Sequence, residues 1–326
     1  MQVSFSGLFG QLESHKIDSE FILVDWNPPS DKPLLVNIIK WPEVSKHCTI
    51  RVLVVPDSIH HRYKYSDKIP MNAVVALNSG IRRARGKFIL PITMGLLFSN
   101  ELVSYIASKN LDIKERYRVD RYDVSWGVLK YETLKEQLDY CQNNIIRIHA
   151  QSHQEKSENG FPSLHTDACG DFQLMSRHHW HLLCGYREID IIAAHVDGLL
   201  SYASYAAGVR EVVLHNPMRV YHIDHDDQFN HRLKRIHPPL DKWLSTRFIP
   251  VWFSKTAMKM YHKLIGYEVK TSVHDVPTLD YSEYRRMCHE IVAGKISYIF
   301  NDENWGLGQE SLDEFVVNAA DWDKSP

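Results

Sequence analysis

Three short apolar runs, each bounded by turn-forming residues, constrain this chain more than any other feature. The first, 21–25, runs into Trp26, Asn27, Pro28 and Pro29. The second, 51–55, stops at Pro56 and Asp57, and the third, 88–90, follows Gly86 and ends at Pro91. Apolar runs this short, bounded in this way, read as buried strands. A helix is expected over 71–84, between the second and third. Further helices are expected over 8–15, 101–109, 131–146, 177–184 and 196–207. The stretch 116–124 alternates polar and apolar residues like a strand. Residues 171–175, 211–214 and 219–222 read as further strands. Strands alternating with helices call for an α/β fold whose sheet is built on crossovers.

The 326 residues, 44% of them hydrophobic, suffice for one large α/β domain with an appendage, or for two domains. A net charge of -2 argues against a general polyanion binder, so no nucleic-acid partner is expected. Cys48, Cys141, Cys169, Cys184 and Cys288 form no CxxC pair, which indicates neither a disulfide framework nor a zinc knuckle. No apolar run approaches about 18 residues and no signal peptide is recognisable, so the default expectation is cytoplasmic. The chain enters its first helix almost at once, where a nucleotide-binding α/β unit ordinarily opens on a buried strand. That predicts an unusual or truncated N-terminus. Residues 151–169 are polar and read as a surface loop, with 151–160 a candidate lid. Beyond about 227 the pattern becomes helical and irregular, with Trp243, Phe248, Trp252, Phe253 and Tyr261 as core or covering aromatics.

Several residues are candidates for chemistry. Asp25 ends a strand, where ligands of open α/β sheets bind, and would accept hydrogen bonds from a base or ribose. Its alternative is a cap on the Pro28-Pro29 bend. Asn78, Arg82 and Arg85 close a helix and would orient a ligand or pair with a diphosphate. Their alternative is ordinary helix termination at Gly86. His165, Asp167 and Asp171 flank Gly170, which allows close backbone approach. Glu188, His195 and Asp197 lie close in sequence, and a carboxylate at the start of the 196–207 helix is held ionised by the helix end. Such a carboxylate can serve as a general base, or merely cap the helix. His222, Asp224 and His225 are possible metal ligands.

Read together, these segments resemble the GT-A-fold glycosyltransferases, specifically family-2-like inverting enzymes of a little-characterised bacterial type. The likeness is carried by Val24 to Pro29, His60 to Asp67, Asn78 to Phe88, Leu97 to Leu102, Tyr117 to Val124 and Asn301 to Leu307. It spans about residues 8 to 310. It implies a GT-A-like mixed sheet of Rossmann type flanked by helices, over 1–226. Residues 1–125 would be the nucleotide-sugar half and 126–226 the acceptor half. A mainly helical and irregular extension, 227–326, would pack on that domain. It further implies transfer, with inversion, of a sugar from a UDP- or GDP-linked donor. The acceptor would be a hydroxyl of a glycan, a lipid-linked sugar or a protein.

By the same resemblance, Asp25 faces the nucleotide, Asn78, Arg82 and Arg85 help hold the donor, and His195 contacts substrate. Glu188 and Asp171 orient the acceptor, and Asp197 falls on the catalytic base. Val196 replaces the glutamate that usually precedes that base. A Mn2+ or Mg2+ ion would be completed by His222 or His225. The departure is Thr93-Met94-Gly95, which stands where relatives carry the metal-binding Asp-x-Asp carboxylate. Either other groups hold the metal, or the reaction runs without one, or activity is lost. Two other classes follow: an inactive GT-A-fold protein that binds nucleotide or glycan, and a metal hydrolase built on His165, Asp167, His222 and His225.

Overall fold

The computed structural model describes residues 2–42, 45–150, 161–189, 195–224, 276–277, 279 and 281–318. Residues 151–160, His225 and the aromatics between 243 and 261 lie outside the described residues. The chain divides into two compact units, 1–223 together with 276–326, and 224–275. The first unit holds the three sheets and the candidate site.

The elements begin α1 (Gln2–Ser14), β1 (Ser19–Trp26), α2 (Leu35–Ile38), β2 (Cys48–Val55), α3 (Asp57–His60), α4 (Ala73–Arg83), β3 (Phe88–Ile89) and β4 (Leu96–Phe98). They continue with α5 (Asn100–Ala107), β5 (Glu115–Val119), β6 (Arg121–Ser125), α6 (Leu134–Asn143), β7 (Ile145–His149), β8 (Leu174–Ser176) and α7 (Arg177–Leu182). The last are α8 (Val196–Ala206), β9 (Arg210–Leu214), β10 (Val220–Asp224), α9 (Tyr281–Val292) and β11 (Asp313–Asn318). The protein is therefore mixed α/β.

Among the described residues the strands form three sheets, in the orders β1-β2-β11, β4-β10-β6-β7 and β3-β8-β5-β9. β1 runs parallel to β2, with Ser19 opposite Cys48 and Trp26 opposite Val55. Every residue of β2 is buried, as a strand covered on both faces must be. Side chains alternate along β1, so Phe21 and Leu23 meet Phe5 and Phe9 of α1 on one face. Ile22 and Val24 point the other way, toward Gly80 of α4.

Local chemistry sets the helix ends. The Asn72 side chain accepts from Val75 N at 3.2 Å to start α4. Thr133 and Glu136 form a capping box on α6. Three expectations need correction. The stretch 116–124 is two strands in different sheets, β5 and β6, broken at Asp120. That carboxylate takes His165 Nε2 and His215 Nδ1, each at 3.1 Å, and pins the corner. The helix expected to 146 ends at Asn143, because Asn143 and Asn144 are weak helix formers and β-branched Ile145, Ile146 and Ile148 favour the strand β7. The tail is also not confined to helix and irregular chain. β11 pairs antiparallel with β2, and Glu314 grips the buried Arg51 through two bonds of 2.6 and 3.0 Å.

Candidate functional site

Two non-glycine residues in left-handed backbone, Ala168 (φ 47°) and His195 (φ 64°), each precede a short segment, and those two segments meet. Such conformations cost energy and gather at functional sites. After Ala168 comes a 3-10 turn, Cys169–Asp171. After His195 comes α8, which has no side-chain cap and carries Asp197 in its first turn. A Cβ on Gly170 would lie 3.1 Å from Asp197 Oδ2, so glycine leaves the carboxylate its room. Gly198 N donates to Asp197 Oδ1 at 2.9 Å. Asp197 is half-buried at the positive end of its helix. Burial, with the Asp197 charge beside it, pushes the Cys169 thiol well above its ordinary pKa, so the neighbouring sulfur stays protonated.

The other end of the same turn leads to a charged cluster. Arg121 Nη1 donates to Asp171 Oδ2 at 2.8 Å, and the exposed Thr93 reaches Asp171 Oδ1 at 3.4 Å. Arg121 Nε also lies 2.9 Å from Oδ1 of the buried Asp123. Arg147 Nη2 and His149 Nε2 approach Asp123 Oδ2 at 2.7 and 3.1 Å, and His222 Nδ1 is 3.3 Å from Oδ1. Burial works to raise the Asp123 pKa. Contacts with His222 and Arg147 and the charges of Arg121 and His149 overcome it and hold the carboxyl well below the usual range. The strand carrying His222 lies beside Leu96, and Ile223 N donates to Gly95 O at 2.8 Å.

The cluster does not suit a divalent cation. Such an ion needs several anionic oxygens with charge to spare. Here Asp123 and Asp171 are matched by Arg121 and Arg147, and Gly95 offers only backbone. Among the described residues no group of three or more His, Cys, Asp or Glu side chains is arranged to hold a metal. Gly95 has φ 94°, a conformation that disfavours an aspartate at this position. His165, Asp167 and His222 go to separate partners, Asp120, His149 and Asp123, so the hydrolase constellation is not assembled among them.

The remaining candidates are engaged in holding the fold. Asp25 is buried, and its Oδ2 accepts from Leu35 N at 2.8 Å, starting α2. Asn78 is fully buried. Its amide donates to Tyr186 O and Glu188 Oε1, both at 2.8 Å, and its Oδ1 accepts from Tyr186 N at 2.8 Å. Glu188 Oε1 also accepts from Gly306 N at 2.7 Å. Burial raises the Glu188 pKa against the opposing pull of these two donors. Arg82 donates to Trp305 O at 2.8 Å and lies over its ring, 5.2 Å from the centroid. Arg83 binds the carbonyls of Gly306, Leu307 and Glu310. Arg82, Arg83 and Glu188 thus clasp the 305–310 segment, and Asn78 holds Glu188. Arg85 is exposed, and its carbonyl accepts from Arg177. His195 is exposed and stacks on Tyr284 of α9, with centroids 5.0 Å apart.

Sequence reasoning gave no role to Arg121, Asp123, Arg147 or His149. The alternation of charge in 120–124 was the available signal, since buried strands seldom carry Arg and Asp unless they are paired. No protein-family model matches this chain, and no curated protein matches it.

Proposed function

We propose that this protein is a GT-A-fold, inverting glycosyltransferase that moves a sugar from a UDP- or GDP-linked donor to a hydroxyl acceptor. A glycan, a lipid-linked sugar or a protein would supply that hydroxyl. The observation that carries the reading is the Cys169–Asp171 turn. Through Gly170 it abuts Asp197, and through Asp171 it reaches the Thr93-Met94-Gly95 segment, which β10 flanks with His222. In the reaction Asp197 takes the proton of the acceptor hydroxyl. The acceptor oxygen bonds to the anomeric carbon as the bond from that carbon to the diphosphate oxygen breaks on the opposite face. The nucleoside diphosphate leaves with the electron pair, and the configuration inverts.

A second reading has one observation in its favour. Asp25, Asn78, Arg82 and Glu188 all spend hydrogen bonds on the fold itself. A non-catalytic nucleotide- or glycan-binding protein would show the same. Isothermal titration with UDP, GDP and nucleotide sugars, in Mn2+ and in EDTA, separates the cases. Saturable binding with turnover supports transfer, and binding without turnover supports the second reading. Binding that requires Mn2+ would mean that groups beyond the described residues complete a metal site. No binding in either buffer would rule out a donor site altogether.

A further inference from the structure

We infer that Arg116, Gln173 and Ser201 form a buried bracket that sets the position of the Asp197 carboxylate, with Gln173 and Ser201 as positioning residues for it. The catalytic consequence rests on Asp197 being the base of the proposed transfer; the positional claim does not. All three side chains are almost wholly buried, at 1%, 0% and 0% exposure. They come from three elements that meet beneath the first turn of α8: β5, the residue before β8, and α8 itself.

The bonds converge on one atom. Gln173 Nε2 donates to the Asp197 carbonyl at 3.2 Å, and Ser201 Oγ donates to the same oxygen at 3.3 Å. Arg116 Nη1 in turn donates to Gln173 Oε1 at 3.3 Å and to Ser201 Oγ at 3.1 Å. Arg116 is anchored by its ion pair with Glu211, whose other oxygen accepts from His165 N at 2.8 Å. A helix start without a side-chain cap is thereby tied to the sheet through the peptide of its acidic residue. The orphan groups of a helix N-terminus are its first N–H donors, so bonds to the Asp197 carbonyl anchor this end without capping it. This end is held where Gly170 and the Gly198 amide confine the carboxylate. Bonds in a buried polar network reinforce one another, so removing one donor weakens the rest.

Two variants test the inference. Gln173→Glu keeps the size of the side chain and gives Arg116 a charged partner, but removes the donor to the Asp197 carbonyl. Ser201→Ala removes the hydroxyl at a helical position where alanine is well tolerated. The Asp197 carboxyl carbon, Cγ, reports on the carboxylate directly by NMR, whereas the Gly198 amide shares a peptide unit with the Asp197 carbonyl and responds to any bond lost there. In Gln173→Glu the Asp197 Cγ resonance should move. Turnover of a nucleotide sugar should fall about 100-fold at unchanged donor affinity, the scale on which small misplacements act. Ser201→Ala should show the same pattern, more weakly. A purely structural role would lower the melting temperature and leave the Asp197 Cγ resonance where it is. An unmoved Asp197 Cγ resonance in both variants overturns the inference, and unchanged turnover with a moved resonance overturns its catalytic consequence. If Gln173→Glu does not fold, Ser201→Ala decides. If the wild-type protein turns over no donor, the transfer reading fails separately, and the Asp197 Cγ resonance alone decides whether the bracket positions the carboxylate.

Discussion

Asp197 and Gly95 show how differently single residues can be read. Asp197 was legible because its position at a helix start follows from the sequence, and its half-buried place against Gly170 fits that reading. Asp197→Asn keeps the shape and removes the basic oxygen. Transfer should drop roughly 100- to 10,000-fold, the usual worth of a general base, with donor affinity by titration unchanged. Gly95 looked like a lost metal ligand. In the fold it is a glycine held at φ 94°, its N–H on Ser4 Oγ and its carbonyl on Ile223 N. Gly95→Asp should therefore cost about 1–2 kcal/mol in urea unfolding and gain no Mn2+ affinity by titration. Restored metal binding in that variant would mean that this backbone does accept an aspartate.

At the scale of elements, the end of α4 reads correctly as structure and misleadingly as chemistry. The sequence placed the helix at 71–84, and it runs Ala73–Arg83. The cluster of Asn78 and the arginines left two possibilities open, a ligand site or a helix end. Tertiary contacts add a third: Arg82 and Arg83 grip a segment more than two hundred residues later in the chain, and Asn78 holds Tyr186 and Glu188. No local pattern encodes that distance, because either partner alone is an ordinary polar stretch. The fit there is close. Gly306 has φ 62°, and a Cβ on it would meet Asn78 O at 2.5 Å, a backbone atom with little freedom to move. Gly306→Ala should destabilise by about 3 kcal/mol, from overpacking and left-handed strain together, read from the shift in urea midpoint. An unshifted midpoint would mean that the clasp is loose.

Over the whole molecule, the buried carboxylates set the response to acid. Asp120 and Asp123 titrate below their ordinary value of 3.8 in the folded protein. For Asp120, burial opposes the shift and bonds from His165 and His215 outweigh it. The folded state thus binds fewer protons than the unfolded chain below pH 3.8. The stability these groups supply is complete above that value and is lost as pH falls through their lower folded values. Glu188 runs the other way: its folded pKa is raised above 4.5, so its contribution declines as pH rises from 4.5 through the folded value. Urea midpoints measured downward from pH 4.5 should fall steeply in the wild type and less steeply in Asp123→Asn. Equal slopes would remove Asp123 from the account.

The α/β class, most strand and helix positions and the helix-start carboxylate followed from the sequence, because periodicity, turn residues and caps act within a few residues of one another. The break at Asp120 and the pairing of β11 with β2 did not follow, since each depends on partners far along the chain, whereas the strand β7 was missed although its isoleucines signal it locally. The paired cluster of Arg121, Asp123, Arg147 and His149 was decided only by the fold. Whether a charge is free to bind a ligand or is already neutralised depends on what lies within a few ångströms of it, and only tertiary structure brings those neighbours together.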